Sequence, residues 1–165
     1  VADVGSGTGA VGLALAAARP EVRLYAIDPS ETALENTRRN VEKLGLKDRV
    51  GVLRGRFLDP IPAGRPIDWV VSNPPYIPTG EIDGLMPEVS KHEPRSALDG
   101  GQDGLDPYRR LVPQAFERAR KGLLVEIGHD QGPRVVTLFA EAGFVGVETV
   151  RDLGGNTRVV AGKKP

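Results

Sequence analysis

The chain has 165 residues, enough for one domain around a single core and short for two. Its 22 basic and 22 acidic residues cancel, which removes the basic footprint of a typical nucleic-acid binder, and the lack of cysteine excludes disulfides, thiolate metal sites and a cysteine nucleophile. No apolar run reaches the ~18–20 residues that cross a bilayer and no charged-then-apolar leader opens the sequence, so a cytoplasmic protein without a membrane partner is expected.

Strand-like and helix-like stretches alternate along the chain, which favours βαβ units and a mostly parallel α/β sheet. Val1 to Val4 is a strand stub running into a glycine loop. Because a strand of ~5–6 residues is typical, the first strand is expected to continue upstream of Val1, in a part of the protein that has been removed. Ala10 to Ala18 reads as a helix closed by Pro20. Val22 to Ile27 is a second strand ending at Asp28, and Ser30 caps a helix with apolar positions Leu34, Val41 and Leu44 before Gly45. Val50 to Leu53 is a third strand. Ile67 to Val71 reads as an apolar strand covered on both faces and ends at Ser72-Asn73-Pro74-Pro75-Tyr76, where two prolines stop it.

Ile77 to Asp103 is rich in Pro, Gly and charge and has no sustained period, so it reads as a long functional loop and a candidate for substrate contact. Asp106-Pro107 has helix-start chemistry, and Leu111, Val112, Ala115, Phe116 and Ala119 form one apolar face after it. Leu123 to Ile127 is a strand and Gln131 to Ala142 a helix closed by Gly143. Val145 to Val150 and Arg158 to Ala161 pair as a terminal couple around the turn residues Asp152 to Asn156.

Asp3-Val4-Gly5-Ser6-Gly7-Thr8-Gly9 lies between a strand and a helix, where a doubly wound sheet binds an adenine-bearing cofactor. Glycines let the backbone turn tightly and approach a ligand, and the helix start offers unpaired N–H groups to an anionic group. Asp28, at the end of the next strand, stands where a carboxylate accepts hydrogen bonds from ribose hydroxyls. A tight turn with a helix cap is the plainer reading of the loop. Gly5, Gly7 and Ala10 also satisfy the loose dinucleotide pattern, so the loop by itself leaves NAD and S-adenosylmethionine both open.

Asn73-Pro74-Pro75-Tyr76 falls on the same edge of the sheet. Its prolines fix φ and remove donors, leaving carbonyl oxygens of the Asn73 side chain and the Pro74 backbone beside the ring of Tyr76. Such an acceptor-only cradle suits an NH₂ group that gives up both protons to hydrogen bonds while its nitrogen is aimed at a methyl donor. Amide and aromatic amine nitrogens fit, being poor nucleophiles until oriented. Taken alone, the turn is equally an exposed proline-rich corner.

Asn-Pro-Pro-Tyr after a G-x-G-x-G loop resembles two groups of methyltransferases, those acting on adenine N6 in DNA and those acting on the glutamine of peptide-chain release factors. Glu88-Val89, Glu93-Pro94, Ser96-Ala97-Leu98, Gly100 to Leu105, Tyr108-Arg109-Arg110, Glu126-Ile127-Gly128 with Gln131, and Arg151 to Gly155 with Arg158-Val159-Val160 resemble the HemK family of N5-glutamine methyltransferases. The similarity runs over essentially the whole chain. It implies a doubly wound, seven-stranded class I methyltransferase fold, Rossmann-like, mostly parallel with an antiparallel C-terminal strand.

By that resemblance the backbone of Gly5, Ser6, Gly7, Thr8 and Gly9 holds the methionine part of S-adenosylmethionine, Asp28 the ribose and Phe57 the adenine face, with Asp3 and Asn73 completing the cofactor set. Asn73, Pro74, Pro75 and Tyr76 hold the substrate glutamine, and Asn73, Pro74 and Tyr76 carry catalysis. The implied target is the Gly-Gly-Gln glutamine of a release factor, the products N5-methylglutamine and S-adenosylhomocysteine, with nucleic acid met only indirectly through the ribosome. Arg56 stands where the family places an acid, so backbone acceptors are expected in place of a carboxylate at the adenine amino group. An N-terminal helical substrate-binding domain is expected upstream of the methyltransferase domain at 1–165.

His92 and His129 show no metal-ligand spacing and read as surface or capping residues, so no metal is expected. Glu126 reads as a structural carboxylate ahead of a pocket-lining one, and Glu81 to Arg95 as a solvated loop, with a substrate-binding flap as the sharper alternative. Adenine N6-methylation, an inactive cofactor-binding module and a nicotinamide dehydrogenase are the competing functions.

Overall fold

In the computed structural model, which describes residues 1–86 and 94–165, strand β1 (Ala2–Val4) leads through the glycine loop into helix α1 (Ala10–Ala18). Strand β2 (Leu24–Asp28) follows, then helix α2 (Glu31–Lys43), whose cap residue Ser30 accepts the Ala33 N–H on its hydroxyl at 3.3 Å. Glu31 in its first turn and Lys43 in its last suit the helix dipole. Strands β3 (Val50–Arg54) and β4 (Ile67–Ser72) come next. A 3₁₀ helix (Thr79–Gly84) and a single turn, α3 (Arg95–Leu98), precede helix α4 (Asp106–Arg118). The chain closes with strand β5 (Ala119–Glu126), helix α5 (Gly132–Ala142) and strands β6 (Val145–Arg151) and β7 (Thr157–Lys163).

Among the described residues the strands form one seven-stranded sheet in the order β3-β2-β1-β4-β5-β7-β6. The pairs β1–β2, β1–β4, β2–β3 and β4–β5 are parallel, and β7 runs antiparallel to both β5 and β6. The strand order therefore reverses between β1 and β4. Both feed their following loops to the same edge, the point at which open α/β sheets bind ligands.

Strand alternation divides the core. Leu24 and Ala26 of β2 belong to one cluster with Leu13 and Ala16 of α1 and Val41 of α2, while Ile27 belongs to the cluster on the other face, with Leu111, Val112 and Ala115 of α4 and Val135 and Phe139 of α5. Helices thus cover both faces. At the far end Phe144 contacts Phe116 and Phe139 with ring centroids 5.2 and 5.1 Å apart.

Several boundaries differ from the sequence reading. Val22 lies outside β2 because its N–H turns back to the Arg19 carbonyl after Pro20. Ala119 belongs to β5, not to the helix face: it takes an extended conformation at the end of α4 and pairs with Ile67. Asp106 is the first residue of α4 and Leu105 its cap. Asp68 interrupts the apolar run of β4 and is exposed at the strand's start, near Lys121. Residues 55–66, between β3 and β4, carry no helix, so the βαβ alternation lapses there. The long loop after Tyr76 is more regular than expected, with its 3₁₀ helix, α3 and a parallel bridge between Ile77 and Asp99. The expectations for Glu88, Val89, His92 and Glu93 lie outside the described residues. No described helix is long and apolar enough to cross a membrane.

Candidate active site

From the end of β1 the chain passes three times through left-handed backbone, at Gly5 (φ +70°), Gly7 (φ +56°) and Gly9 (φ +81°). Side chains are strained in that region, and a Cβ on Gly9 would also sit 2.7 Å from Leu13. A Cβ on Gly7 would meet nothing within 4 Å, so the crest of the loop faces open space. The N–H groups of Gly5 and Ser6 both donate to the Ile27 carbonyl at 2.9 Å, which folds the loop over the end of β2.

Helix α2 braces the loop from outside. The Thr37 hydroxyl donates to the Gly7 carbonyl and the Asn40 amide to the Thr8 carbonyl, each at 2.9 Å. Asp28 holds the other flank: one carboxylate oxygen accepts the Gly7 N–H at 2.9 Å and the other the Ser30 N–H at 2.8 Å. Each oxygen keeps a further lone pair for a ligand hydroxyl. Beneath the loop the buried Asp3 accepts the Gly12 N–H at 2.9 Å. Burial pushes the Asp3 carboxyl up to about 6, the Gly12 N–H opposes that rise, and the charge of Asp28 adds to it.

Ser6 tests whether this cradle suits a ligand. Among the described residues its hydroxyl is the buried side-chain oxygen or nitrogen that has no hydrogen-bond partner. Leaving such a group unpaired costs ~1–3 kcal/mol. An unpaired hydroxyl, an open glycine crest and an acceptor-rich Asp28 at one strand edge fit a ligand with a polar, charged end and a dihydroxylated sugar.

Phe57 leaves β3 with φ +51°, left-handed backbone that is rare for an aromatic residue. The turn is held from two sides. The Gly55 N–H donates to the Asp28 carbonyl at 3.1 Å, placing the turn beside the end of β2. From α4, the Gln114 side chain accepts the Leu58 N–H at 3.2 Å and donates to Asp59 at 3.2 Å, and Arg118 donates to the carbonyls of Leu58, Ile61 and Pro62. The half-buried ring of Phe57 packs against the core, and Arg56 is exposed.

At the end of β4 the buried Ser72 hydroxyl donates to the Val4 carbonyl at 2.7 Å. The chain then turns through exposed Asn73, buried Pro74 and half-buried Pro75 and Tyr76. A Cβ built on Gly5 would find the Asn73 carbonyl as its neighbour, at 3.8 Å. The two candidate subsites therefore abut on one sheet edge. Asn73, Pro74, Pro75, Tyr76, Ile77, Ala97 and Leu98 line a pocket of about 140 Å³. A cavity of ~150 Å³ admits a molecule the size of benzene, so a side-chain carboxamide fits this space. A larger groove of about 390 Å³ lies between α4 and α5, among Val112, Phe116 and Leu138, and none of the sequence-predicted site residues lines it.

Residues 1–91 match the family model described as the Methyltransferase small domain. The chain belongs to the methyltransferase small-domain family. Curated relatives of this methyltransferase domain include the release factor glutamine methyltransferases of Gloeobacter violaceus and Caulobacter vibrioides. Each is 47% identical, over 97% and 98% of this chain and 57% and 56% of the relative. The chain thus spans somewhat more than half the length of the relatives it matches, and they carry the name of the enzymes whose motifs it resembles. Among solved structures, the N-terminal domain of human METTL16 in complex with SAH aligns with TM-score 0.67 at 18% identity, over 99% of this chain and 60% of the other. A methyltransferase from Pyrococcus furiosus aligns with TM-score 0.69 at 17% identity, over 99% and 73%. At such identities the match concerns the fold, the seven-stranded arrangement with its antiparallel strand.

In this methyltransferase domain Asp3, Gly5 to Gly9, Asp28, Phe57 and Asn73 to Tyr76 all lie along the carboxyl ends of β1 to β4. Thr37, Asn40, Gln114 and Arg118 support them and escaped the sequence reading. On a helix, a polar residue aimed at a neighbouring loop looks the same in sequence as one aimed at water. Glu126 takes part through its backbone carbonyl, which accepts the Tyr108 hydroxyl at 2.8 Å. His129 is exposed, and among the described residues no three His, Asp or Glu side chains gather as a metal site would require.

Proposed function

We propose that this chain is the catalytic part of a cytoplasmic, S-adenosylmethionine-dependent enzyme that methylates the side-chain nitrogen of the Gly-Gly-Gln glutamine in peptide-chain release factors. The observation that carries the reading is the contact between the two subsites: the Asn73–Tyr76 turn and the glycine loop leave strands joined by the Ser72–Val4 hydrogen bond. The names and identities of the curated relatives supply the substrate class. The upstream helical domain expected from the family resemblance belongs to the same proposal, as the part that grips the protein substrate.

In this reading Gly5 to Gly9, the Ser6 hydroxyl and Asp3 form the wall for the methionine part of the cofactor, Asp28 accepts from its ribose and Phe57 covers its adenine. When bound there, S-adenosylmethionine would supply an electrophilic methyl group on sulfur, with S-adenosylhomocysteine as its product. The side-chain oxygen of Asn73 and the Pro74 carbonyl accept the two N–H bonds of the substrate carboxamide, which fixes its plane and points the nitrogen lone pair toward the glycine loop. As the nitrogen takes the methyl it becomes partly positive, those two oxygens stabilise that charge, and one of its two protons then passes to solvent water as the pocket opens, leaving the neutral N-methyl amide. Tyr76 walls the pocket and keeps water from the reacting nitrogen. Holding the atoms in line is worth several kcal/mol by itself.

The test is mass spectrometry of a release factor incubated with the full-length protein, its upstream part included, and S-adenosylmethionine. One methyl group on the Gly-Gly-Gln glutamine is expected, and an unmodified glutamine at complete cofactor occupancy rejects the proposal. Asn73→Ala should lose turnover far out of proportion to any loss of S-adenosylhomocysteine affinity, which separates an enzyme from an inactive cofactor-binding module.

A further inference from the structure

Tyr76 packs its ring against the core and has its carbonyl tied from outside the turn. The Gln131 side chain, only 5% exposed, donates from Nε2 to the Tyr76 carbonyl at 2.8 Å and to the Gly104 carbonyl at 3.3 Å. Its Oε1 accepts the Gly128 N–H at 3.0 Å. A carboxamide is the neutral side chain that can tie two carbonyls and one N–H at once. Three segments meet on it: the turn after β4, the glycine segment before α4 and the end of β5.

The closeness of this junction depends on Gly104, at φ +75°. A Cβ there would lie 2.4 Å from the Tyr76 oxygen and 2.5 Å from Gln131 Nε2. Asp103, one residue earlier, is anchored by Arg109 at 2.6 Å and by Arg134 of α5. On the other flank the Ile77 N–H donates to the Leu98 carbonyl at 3.0 Å, and the Gly100 N–H to the Ile77 carbonyl at 2.8 Å. With φ fixed by the rings of Pro74 and Pro75, the peptide after Tyr76 sets how the turn tilts toward Gly5.

We propose that Gln131 is a positioning residue for methyl transfer, its carboxamide fixing the tilt of the Asn73–Tyr76 turn and so the line along which the substrate nitrogen approaches. It acts through the turn and touches neither ligand. The inference rests on the reading of that turn as the glutamine pocket. Gln131→Met keeps the length and removes every hydrogen bond, and Gln131→Glu keeps the shape and sets an acceptor against two carbonyls.

The experiment measures, for both variants of the full chain, S-adenosylhomocysteine affinity and stoichiometry by calorimetry, kcat per cofactor-binding site and KM for the release factor. A crystal structure of the Gln131→Met variant accompanies them. The expected result is cofactor affinity within about twofold of the parent, a fall in kcat of roughly tenfold to a hundredfold, and a Tyr76 carbonyl displaced relative to Gly5. An unchanged kcat per site in both variants overturns the proposal. So does loss of cofactor binding in step with turnover, which makes Gln131 a residue of the fold alone. Should the parent itself leave the glutamine unmodified, the functional reading fails, and the Tyr76 position in the variant still decides the positioning claim: no displacement ends it.

Discussion

The Ser72 hydroxyl and the Val4 carbonyl, 2.7 Å apart in the buried seam between β4 and β1, join the two halves of the candidate site. Val4 is the last residue before the glycine loop and Ser72 the last before the Asn-Pro-Pro-Tyr turn. At the point where the strand order reverses, one side chain thus adds a bond across the parallel β1–β4 pairing that carries two loops from distant parts of the chain.

Removing that hydroxyl isolates the contact. Ser72→Ala leaves the Val4 carbonyl buried without its partner, at a cost of ~1–3 kcal/mol. Urea denaturation should show the loss as a lower midpoint at unchanged slope. Turnover should fall by more than cofactor affinity, because the spacing between the subsites is what moves; equal losses in both would mean that the bond serves stability alone.

Thr37 offers a test of the cofactor side. Thr37→Val keeps the shape of this fully buried side chain and deletes its bond to the Gly7 carbonyl. The loop crest then loses a brace, and S-adenosylhomocysteine should bind about fivefold to tenfold more weakly, the equivalent of ~1 kcal/mol. Calorimetry reads this directly. Unchanged affinity would show that Asn40 and Asp28 hold the loop without Thr37.

The two motifs of the site were legible in sequence because their chemistry is local. Glycines at φ +70°, +56° and +81° and two consecutive prolines after a strand announce backbone geometry by residue type alone. Asp28 was legible from its place at a strand end. What escaped was tertiary: Thr37 and Asn40 on α2, Gln114 and Arg118 on α4, and the left-handed backbone of Phe57, a conformation that no propensity assigns to an aromatic residue. The lapse of the strand–helix alternation between β3 and β4 has a related reason. Gly55, Pro60, Pro62 and Gly64 mark turns, and the docking of that segment on α4 takes the place of a helix.

Asp3 sets a pH dependence of stability. Its carboxyl titrates at about 6 in the fold, raised from an ordinary 3.8 chiefly by burial. The folded protein therefore holds this proton more tightly than the unfolded chain does. The stabilising difference is present in full below pH ~4, is lost as the pH rises from ~4 to ~6 and stays lost above that, a change on the order of 2–3 kcal/mol. Asp3→Asn keeps an acceptor for the Gly12 N–H and removes the titration. The stability of the parent relative to this variant should fall between pH 4 and pH 7 in parallel denaturation series, and a constant difference would show that Asp3 does not titrate there.

Arg118 tests whether the Phe57 turn is built for the cofactor. This one guanidinium donates to the carbonyls of Leu58 at 3.2 Å, Ile61 at 3.0 Å and Pro62 at 3.4 Å, so α4 holds the segment that fixes Phe57 at φ +51°. An aromatic residue in left-handed backbone costs on the order of 1–2 kcal/mol, which the surrounding bonds must offset. Arg118→Met keeps much of the apolar stem and frees the three carbonyls, so the turn should relax toward ordinary backbone and carry the ring away from its seat against the core. The expected result is a loss of S-adenosylhomocysteine affinity of about tenfold, with kcat at saturating cofactor close to the parent's, because the Asn73–Tyr76 turn is untouched. Loss of kcat at full cofactor saturation would place Arg118 in the coupling between α4 and the substrate pocket, and unchanged affinity would mean that Gln114 and the Gly55–Asp28 bond hold Phe57 without it.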